Sequence, residues 1–268
     1  MLELKNEAIE TDDEIIERLR DRFSILDEMT RAVKGGKVRA MIVSGAPGVG
    51  KSFGVQEVLS KHDTMADIAG DPSLKKYEIC KGALSALGLY VKLFAFRNQK
   101  DILVFDDSDS IFNDEESLNI LKAALDSSEK RTIQWNKDSR LLKDHGIPNS
   151  FDFKGGIIFI TNVKFDNVRS KKLRDHLAAL ESRCHYIDLT IHTDREKMLR
   201  VKQIVHDGML DAYNFSHDQL DDIVNWIDDN KAKLRELSLR TVIKAADLKS
   251  HFNYRWQSIA STTLLKTR

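Results

Sequence analysis

Gly45-Ala46-Pro47-Gly48-Val49-Gly50-Lys51-Ser52 constrains this chain more than any other stretch. It follows the apolar run Ala40-Met41-Ile42-Val43 and opens into Phe53-Gly54-Val55-Gln56-Glu57-Val58-Leu59, which repeats at helical spacing. A strand, a glycine turn and a helix in that order are the context of a phosphate-binding loop. Glycine permits backbone conformations closed to other residues, so successive N–H groups can face one anion. A helix starting near Lys51 adds its positive dipole end and its unpaired amides. In such a loop Lys51 reaches the β- and γ-phosphates and the Ser52 hydroxyl holds Mg²⁺. Residues Gly45 through Phe53 are therefore the candidate nucleotide-binding segment. A surface turn that merely contains Lys-Ser is the plain alternative; the fit of all eight positions and of both flanks stands against it.

The 268 residues can form one large domain or two modest ones. With 41% apolar and 31% charged residues, the composition is that of an ordinary soluble globular protein. No apolar run approaches a membrane span, and the N-terminus lacks the basic-then-apolar pattern of a signal peptide. The expectation is a cytoplasmic chain with no membrane partner. Two cysteines, Cys80 and Cys184, make neither a disulfide framework nor a CxxC pair, and each reads as a small core residue. A net charge of zero gives no general case for nucleic acid. The charge is nevertheless uneven: residues 1–31 carry ten Asp/Glu against five Lys/Arg, and residues 231–268 nine Lys/Arg against two Asp/Glu. Such ends can attract neighbouring subunits, meet a nucleic acid, or simply be solvated helical faces.

Periodicity predicts a helix over 12–34, capped by Thr11 or Asp12 and closed by Gly35-Gly36. A strand at 38–43, the loop, and a helix from 51 to about 61 follow. The polar stretch 62–74 reads as a loop around Gly70-Asp71-Pro72. A short strand at 77–80 leads to a helix carrying Leu89, Val91, Leu93, Phe94 and Phe96. Ile102-Leu103-Val104-Phe105 then reads as a buried parallel strand with Asp106 and Asp107 at its carboxyl end, where ligands gather in open α/β sheets. There Asp106 can orient Mg²⁺ and Asp107 can polarise an attacking water. A helix at 114–126, a hairpin or excursion at 131–153, and a buried strand at 156–162 come next. Asn162 ends that strand, placed to hold a water in line with a γ-phosphate. A helix at 171–182 and a strand at 186–189 precede a remainder that is helical only, so a boundary is expected near 190. The expected architecture is α/β: residues 1–37 form a helical segment on the core, 38–190 a nucleotide-binding domain with a parallel sheet flanked by helices, and 191–268 a small all-α domain.

In the order of these signals the chain resembles the AAA+ ATPases. Gly45–Ser52 is similar to their Walker A loop, and Ile102–Asp107 to their Walker B strand. Asn162 resembles the sensor 1 position, Leu180-Glu181-Ser182-Arg183-Cys184 the arginine-finger segment, and Leu237-Ser238-Leu239-Arg240-Thr241 the sensor 2 helix. The resemblance implies ATP and Mg²⁺ as ligands, with residues 191–268 serving as a lid. Asp107 then stands where the family usually has a catalytic Glu. Arg240 senses the γ-phosphate from the same chain, and Arg183 reaches the site of a neighbouring subunit. A finger acting in trans requires a homo-oligomeric ring, usually a hexamer in this family. The aspartate at 107 is one methylene short, setting its carboxylate back by about 1.5 Å. A displacement of that size can cost about 100-fold in rate.

The resemblance leaves the client open. Leu87-Gly88, with Tyr90 nearby, lies where protein translocases carry a pore loop, which suggests a ring that remodels a protein or nucleoprotein. A loop that merely packs on the sheet is the rival. Ser182-Arg183-Cys184 has the form found in clamp loaders, and basic residues cluster at Lys164, Arg169, Lys171, Lys172 and Arg174 and at Lys231, Lys233 and Arg235. These favour a DNA-replication accessory ATPase of helicase-loader or clamp-loader type as the alternative. A nucleotide-gated scaffold with weak hydrolysis is the second alternative.

Overall fold

The computed structural model describes residues 10–61, 63–71, 74–163, 165, 168 and 170–267. In chain order the elements are α1 (Asp12–Lys34), β1 (Ala40–Ser44), α2 (Lys51–Ser60), α3 (Thr64–Ala69), β2 (Tyr77–Lys81), α4 (Ala86–Ala95) and β3 (Ile102–Asp106). They continue with α5 (Ser110–Asn113), α6 (Glu115–Ala124), β4 (Thr132–Gln134), α7 (Arg140–Asp144), β5 (Ser150–Asp152) and β6 (Gly156–Thr161). Last come α8 (Lys171–Glu181), β7 (His185–Asp188), α9 (Asp194–Ile204), α10 (His217–Asn230), α11 (Leu239–Phe252) and α12 (Trp256–Leu264). Two compact units result. One comprises Ser24–Ala46 and Lys51–Thr190; the other comprises the described residues up to Phe23, Pro47–Gly50, and the chain from Ile191 onward. No helix among the described residues is long and apolar enough to cross a membrane.

In the first unit five strands form a parallel sheet in the order β2-β3-β6-β1-β7. The central strands β1, β3 and β6 are buried along their whole length. That is why they read as continuous apolar runs: a parallel strand covered by helices on both faces has no solvent side to make polar. Phe105 stacks on Phe159 at 5.6 Å and Phe112 meets the same ring at 5.5 Å. Helix α4 is capped by Ser85, whose Oγ accepts from the Gly88 amide at 3.1 Å. It buries Leu89, Tyr90 and Leu93 completely. Strands β4 and β5 pair antiparallel with Ile133 opposite Phe151, so the 131–153 stretch is a hairpin. Phe151 and Trp135 pack on the Tyr90 ring, and the Tyr90 hydroxyl donates to Pro148 O at 2.8 Å.

The second unit is helical. Capping boxes start α9 (Thr193 with Glu196) and α10 (Ser216 with Gln219). Its core gathers Val201, Ile223, Ile227, Val242, Ala245 and Ala260 around Trp226 and Trp256, whose rings lie 5.7 Å apart. Arg18 pairs with Glu196 at 2.7 Å and with Glu10 at 2.8 Å. Burial pushes the Glu196 carboxyl up, but hydrogen bonds from Arg18 and from the Thr193 and His192 amides outweigh it and hold the group at about 2.

Two expectations need correction. Residues 62–74 are not all loop, because α3 occupies Thr64–Ala69. Gly70 and the residues after it set where that helix stops, while Thr-Met-Ala-Asp-Ile-Ala itself contains no helix breaker. Leu87 and Gly88 lie in the first turn of α4 and Tyr90 is core, so this stretch is packed helix. Helix α12 lies in the stretch expected to be helical and carries four Ser/Thr residues. Ser261, Thr262 and Thr263 each donate to a carbonyl one turn back instead of breaking the helix. Of the basic residues noted in the sequence, Lys164 and Arg169 lie outside the described residues, as does the start of the N-terminal segment. Lys172 pairs with Glu115 and Lys231 with Asp228, both at 2.7 Å.

Candidate functional site

Topology assembles the site. Because β6 lies between β1 and β3, Ile160 is flanked in register by Val43 on one side and Asp106 on the other. The residues just beyond these positions therefore emerge together at the carboxyl edge: Lys51 and Ser52 at the start of α2, Asp107 after β3, and Asn162 after β6. Gly48 and Gly50 take φ of +72° and +103°, a region that favours glycine. Gly48 is also crowded. A Cβ there would stand 2.7 Å from Ser238 Cβ and 2.9 Å from its Oγ. The Leu239 amide donates to Gly48 O at 3.0 Å, fixing the loop's middle within the helical unit.

Lys51 is buried, at 6% exposure. Its ammonium donates to Gly45 O at 2.7 Å, Ala46 O at 2.9 Å and Asn162 Oδ1 at 2.8 Å. The amide of Asn162 in turn donates to Asp107 Oδ1 at 2.9 Å. Lysine, asparagine and aspartate thus form one connected relay. Beside it, Ser52 Oγ donates to Asp106 Oδ1 at 2.8 Å. The two residues expected to hold a metal already meet, and both groups are oxygen donors of the hard kind that Mg²⁺ prefers. Asp107 adopts φ +52° and its amide donates to Ile160 O at 3.1 Å. The short carboxylate is therefore carried by a left-handed residue, a conformation that aspartate tolerates better than most side chains. Phe53 is 73% exposed in the first turn of α2.

Three further residues join this site that the sequence did not single out. Lys81 ends β2 opposite Asp106 in register, and its ammonium stands 3.2 Å from Asp106 Oδ2. Only strand adjacency could have paired them. Asp109 accepts from the Thr161 hydroxyl at 2.7 Å, and Thr161 is buried at the end of β6. Burial of Asp109 raises its carboxyl above the usual range; the Thr161 bond and Lys51 oppose this, and the nearby Asp107 charge adds to it. A carboxyl raised in the folded state favours folding below its unfolded pKa and loses that advantage as pH climbs through its folded pKa. Asp109→Asn is accordingly expected to raise the melting temperature at pH 7, with the gain shrinking toward pH 4. A melting series across that range checks it; a lower melting temperature at pH 7 would contradict the assignment.

Both predicted arginines are exposed. Arg240 is exposed, directly after the Leu239 that grips Gly48. Arg183 is exposed between α8 and β7, and its Nη1 donates to Ala179 O at 2.5 Å. In the helical unit, Glu236 Oε1 and Ser238 Oγ are buried near Gly48 without a hydrogen-bond partner among the described residues.

A mixed α/β protein with a five-stranded parallel sheet and a glycine loop at its carboxyl edge is compatible with the phosphate-binding-loop class of folds. Residues 5–134 match the family described as "Protein of unknown function (DUF815)". The chain is also 36% identical over 258 residues to the "Uncharacterized 36.7 kDa protein in nrdC-mobD intergenic region" of Enterobacteria phage T4, covering 95% of this chain and 77% of that protein. At that identity and coverage, the chain belongs to the same family as the phage T4 protein.

Proposed function

We propose that this protein is an AAA+ ATPase that binds and hydrolyses Mg-ATP between the subunits of an oligomeric ring and uses the cycle to remodel a protein or nucleoprotein client. The observation that carries the reading is the pair of adjoining contacts Lys51–Asn162–Asp107 and Ser52–Asp106, joined at one sheet edge by the insertion of β6 between β1 and β3. Residues 45–53 would wrap the phosphates, and Ser52 and Asp106 would hold Mg²⁺ directly or through its water shell. The metal would neutralise charge on the phosphate oxygens. Asp107 and Asn162 would place the attacking water. Residues 191–268 would act as a lid bearing Arg240.

The position of Arg183 supports the oligomeric part of this reading. It precedes β7 and so lies at the amino edge of the sheet, whereas the loop follows β1 at the carboxyl edge. The five residues of β1 separate those edges by about 17 Å, at roughly 3.3 Å per residue. Arg183 therefore stands at the edge of the sheet opposite the phosphate loop of its own chain, so the nucleotide it serves in this reading is one held by another copy. Mixing Arg183→Ala chains with Lys51→Ala chains is expected to restore turnover that neither shows alone, since the first supplies an intact loop and the second an intact arginine. Absence of recovery would remove the role in trans. Failure of the wild-type protein to bind an adenine nucleotide in the presence of magnesium would remove the whole reading.

A further inference from the structure

We propose that Arg39 joins Arg183 in a single anion-binding cleft whose occupant is the terminal phosphate of a nucleotide held by a second copy of this chain. The inference rests on the function proposed above and adds a residue to it that neither motif nor spacing marks. Arg39 and Arg183, with Leu125, Ser127 and Ser182, line one open cleft of about 500 Å³. Strand register explains why they meet. Met41 of β1 pairs with His185 of β7, so Arg39 and Arg183 stand two residues ahead of partnered positions on neighbouring strands, at the amino edge of the sheet.

Both guanidiniums are held by backbone oxygens. Arg39 Nη1 donates to Asp126 O at 2.8 Å and Ser128 O at 3.1 Å, fastening the turn after α6. Arg183 Nη1 donates to Ala179 O in the last turns of α8. A guanidinium carries five N–H donors in a planar fork, so each retains donors beyond those contacts. Asp126 supplies the resting counter-charge. Hydrogen bonds from Ser128 hold its carboxyl below the usual range, and the charges of Arg183 and Arg39 add to the effect. Two arginines against one carboxylate leave an excess of positive charge. A phosphate offers more charge than a carboxylate and three oxygens, and two forks can grip it where one cannot. In phosphoryl transfer, charge spreads over three equatorial oxygens, which suits a pair of donors placed side by side.

Arg39→Ala can unfasten the 126–128 turn, so the test uses Arg39→Gln and Arg39→Lys, with melting temperatures measured alongside. Both are expected to bind Mg-ATP in their own loops within about twofold of wild type while turnover falls about 10-fold to 100-fold, the range for loss of one donor that stabilises developing charge. Mixing decides whether the arginines form one cleft. Arg39→Gln with Lys51→Ala should recover turnover. Arg39→Gln with Arg183→Ala should not, because every cleft in that mixture lacks one arginine. Recovery in the second mixture would overturn the shared cleft, and wild-type turnover by Arg39→Gln would overturn the role of Arg39; either result leaves the ATPase reading intact. Inactive wild-type protein that binds no nucleotide would end both. Inorganic phosphate titrated into nucleotide-free, dilute protein separates the sources: Arg39-dependent binding by lone protomers would assign the cleft to free phosphate and overturn the second-copy occupant.

Discussion

Lys51→Ala is expected to lower Mg-ATP turnover by at least about 100-fold, the scale seen when one preorganised donor to developing phosphoryl charge is lost. The ammonium is not idle: it bridges Gly45 O, Ala46 O and Asn162 Oδ1. Those oxygens lose a charged donor in the variant, at a cost of about 1–3 kcal/mol if they stay dry. The loop will therefore be looser as well as less positive, and nucleotide affinity should fall together with turnover. Asn162, released from Lys51, would still hold Asp107. Steady-state turnover and a nucleotide titration on the folded variant check this. Turnover above a tenth of wild type would mean that Lys51 does not face the phosphates.

Phe159→Ala should cost about 3–5 kcal/mol, the usual range for removing a buried aromatic side chain. Phe159 is 1% exposed in the middle of β6 and touches both Phe105 and Phe112. At roughly 2–4 °C per kcal/mol for a domain of this size, the melting temperature falls by about 6–20 °C. The position also matters for the site, because β6 carries Thr161 and delivers Asn162 to Lys51. Phe159→Leu, which keeps much of the volume, should cost about 1–2 kcal/mol. Denaturant melts of the two variants test the ordering. A loss below about 1 kcal/mol for Phe159→Ala would show that the space beside the sheet refills, contrary to the packing described.

Much of the site was legible before any coordinates. Eight consecutive residues of the loop and the apolar run ending in Asp106-Asp107 announce themselves because their chemistry is local: glycine freedom, helix start and strand end all reside in adjacent residues. Asn162 was legible as the end of a third apolar run. Lys81, Asp109 and Thr161 were not, since each matters through a neighbour distant in sequence: Asp106 for Lys81, and one another for Asp109 and Thr161. The left-handed backbone of Asp107 was equally hidden. Helix α3 was masked by the polar residues and turn signals around it.

By itself, the order of residues determined the parallel α/β sheet and the position of the glycine loop, because continuous apolar strands and glycine turns are properties of short segments. Only the tertiary structure decided that β6 enters between β1 and β3, and with it the Lys51–Asn162–Asp107 relay. It also decided that Arg39 shares a cleft with Arg183. Strand order is set by which faces bury together, a choice made by packing across the whole unit and written in no single stretch of chain.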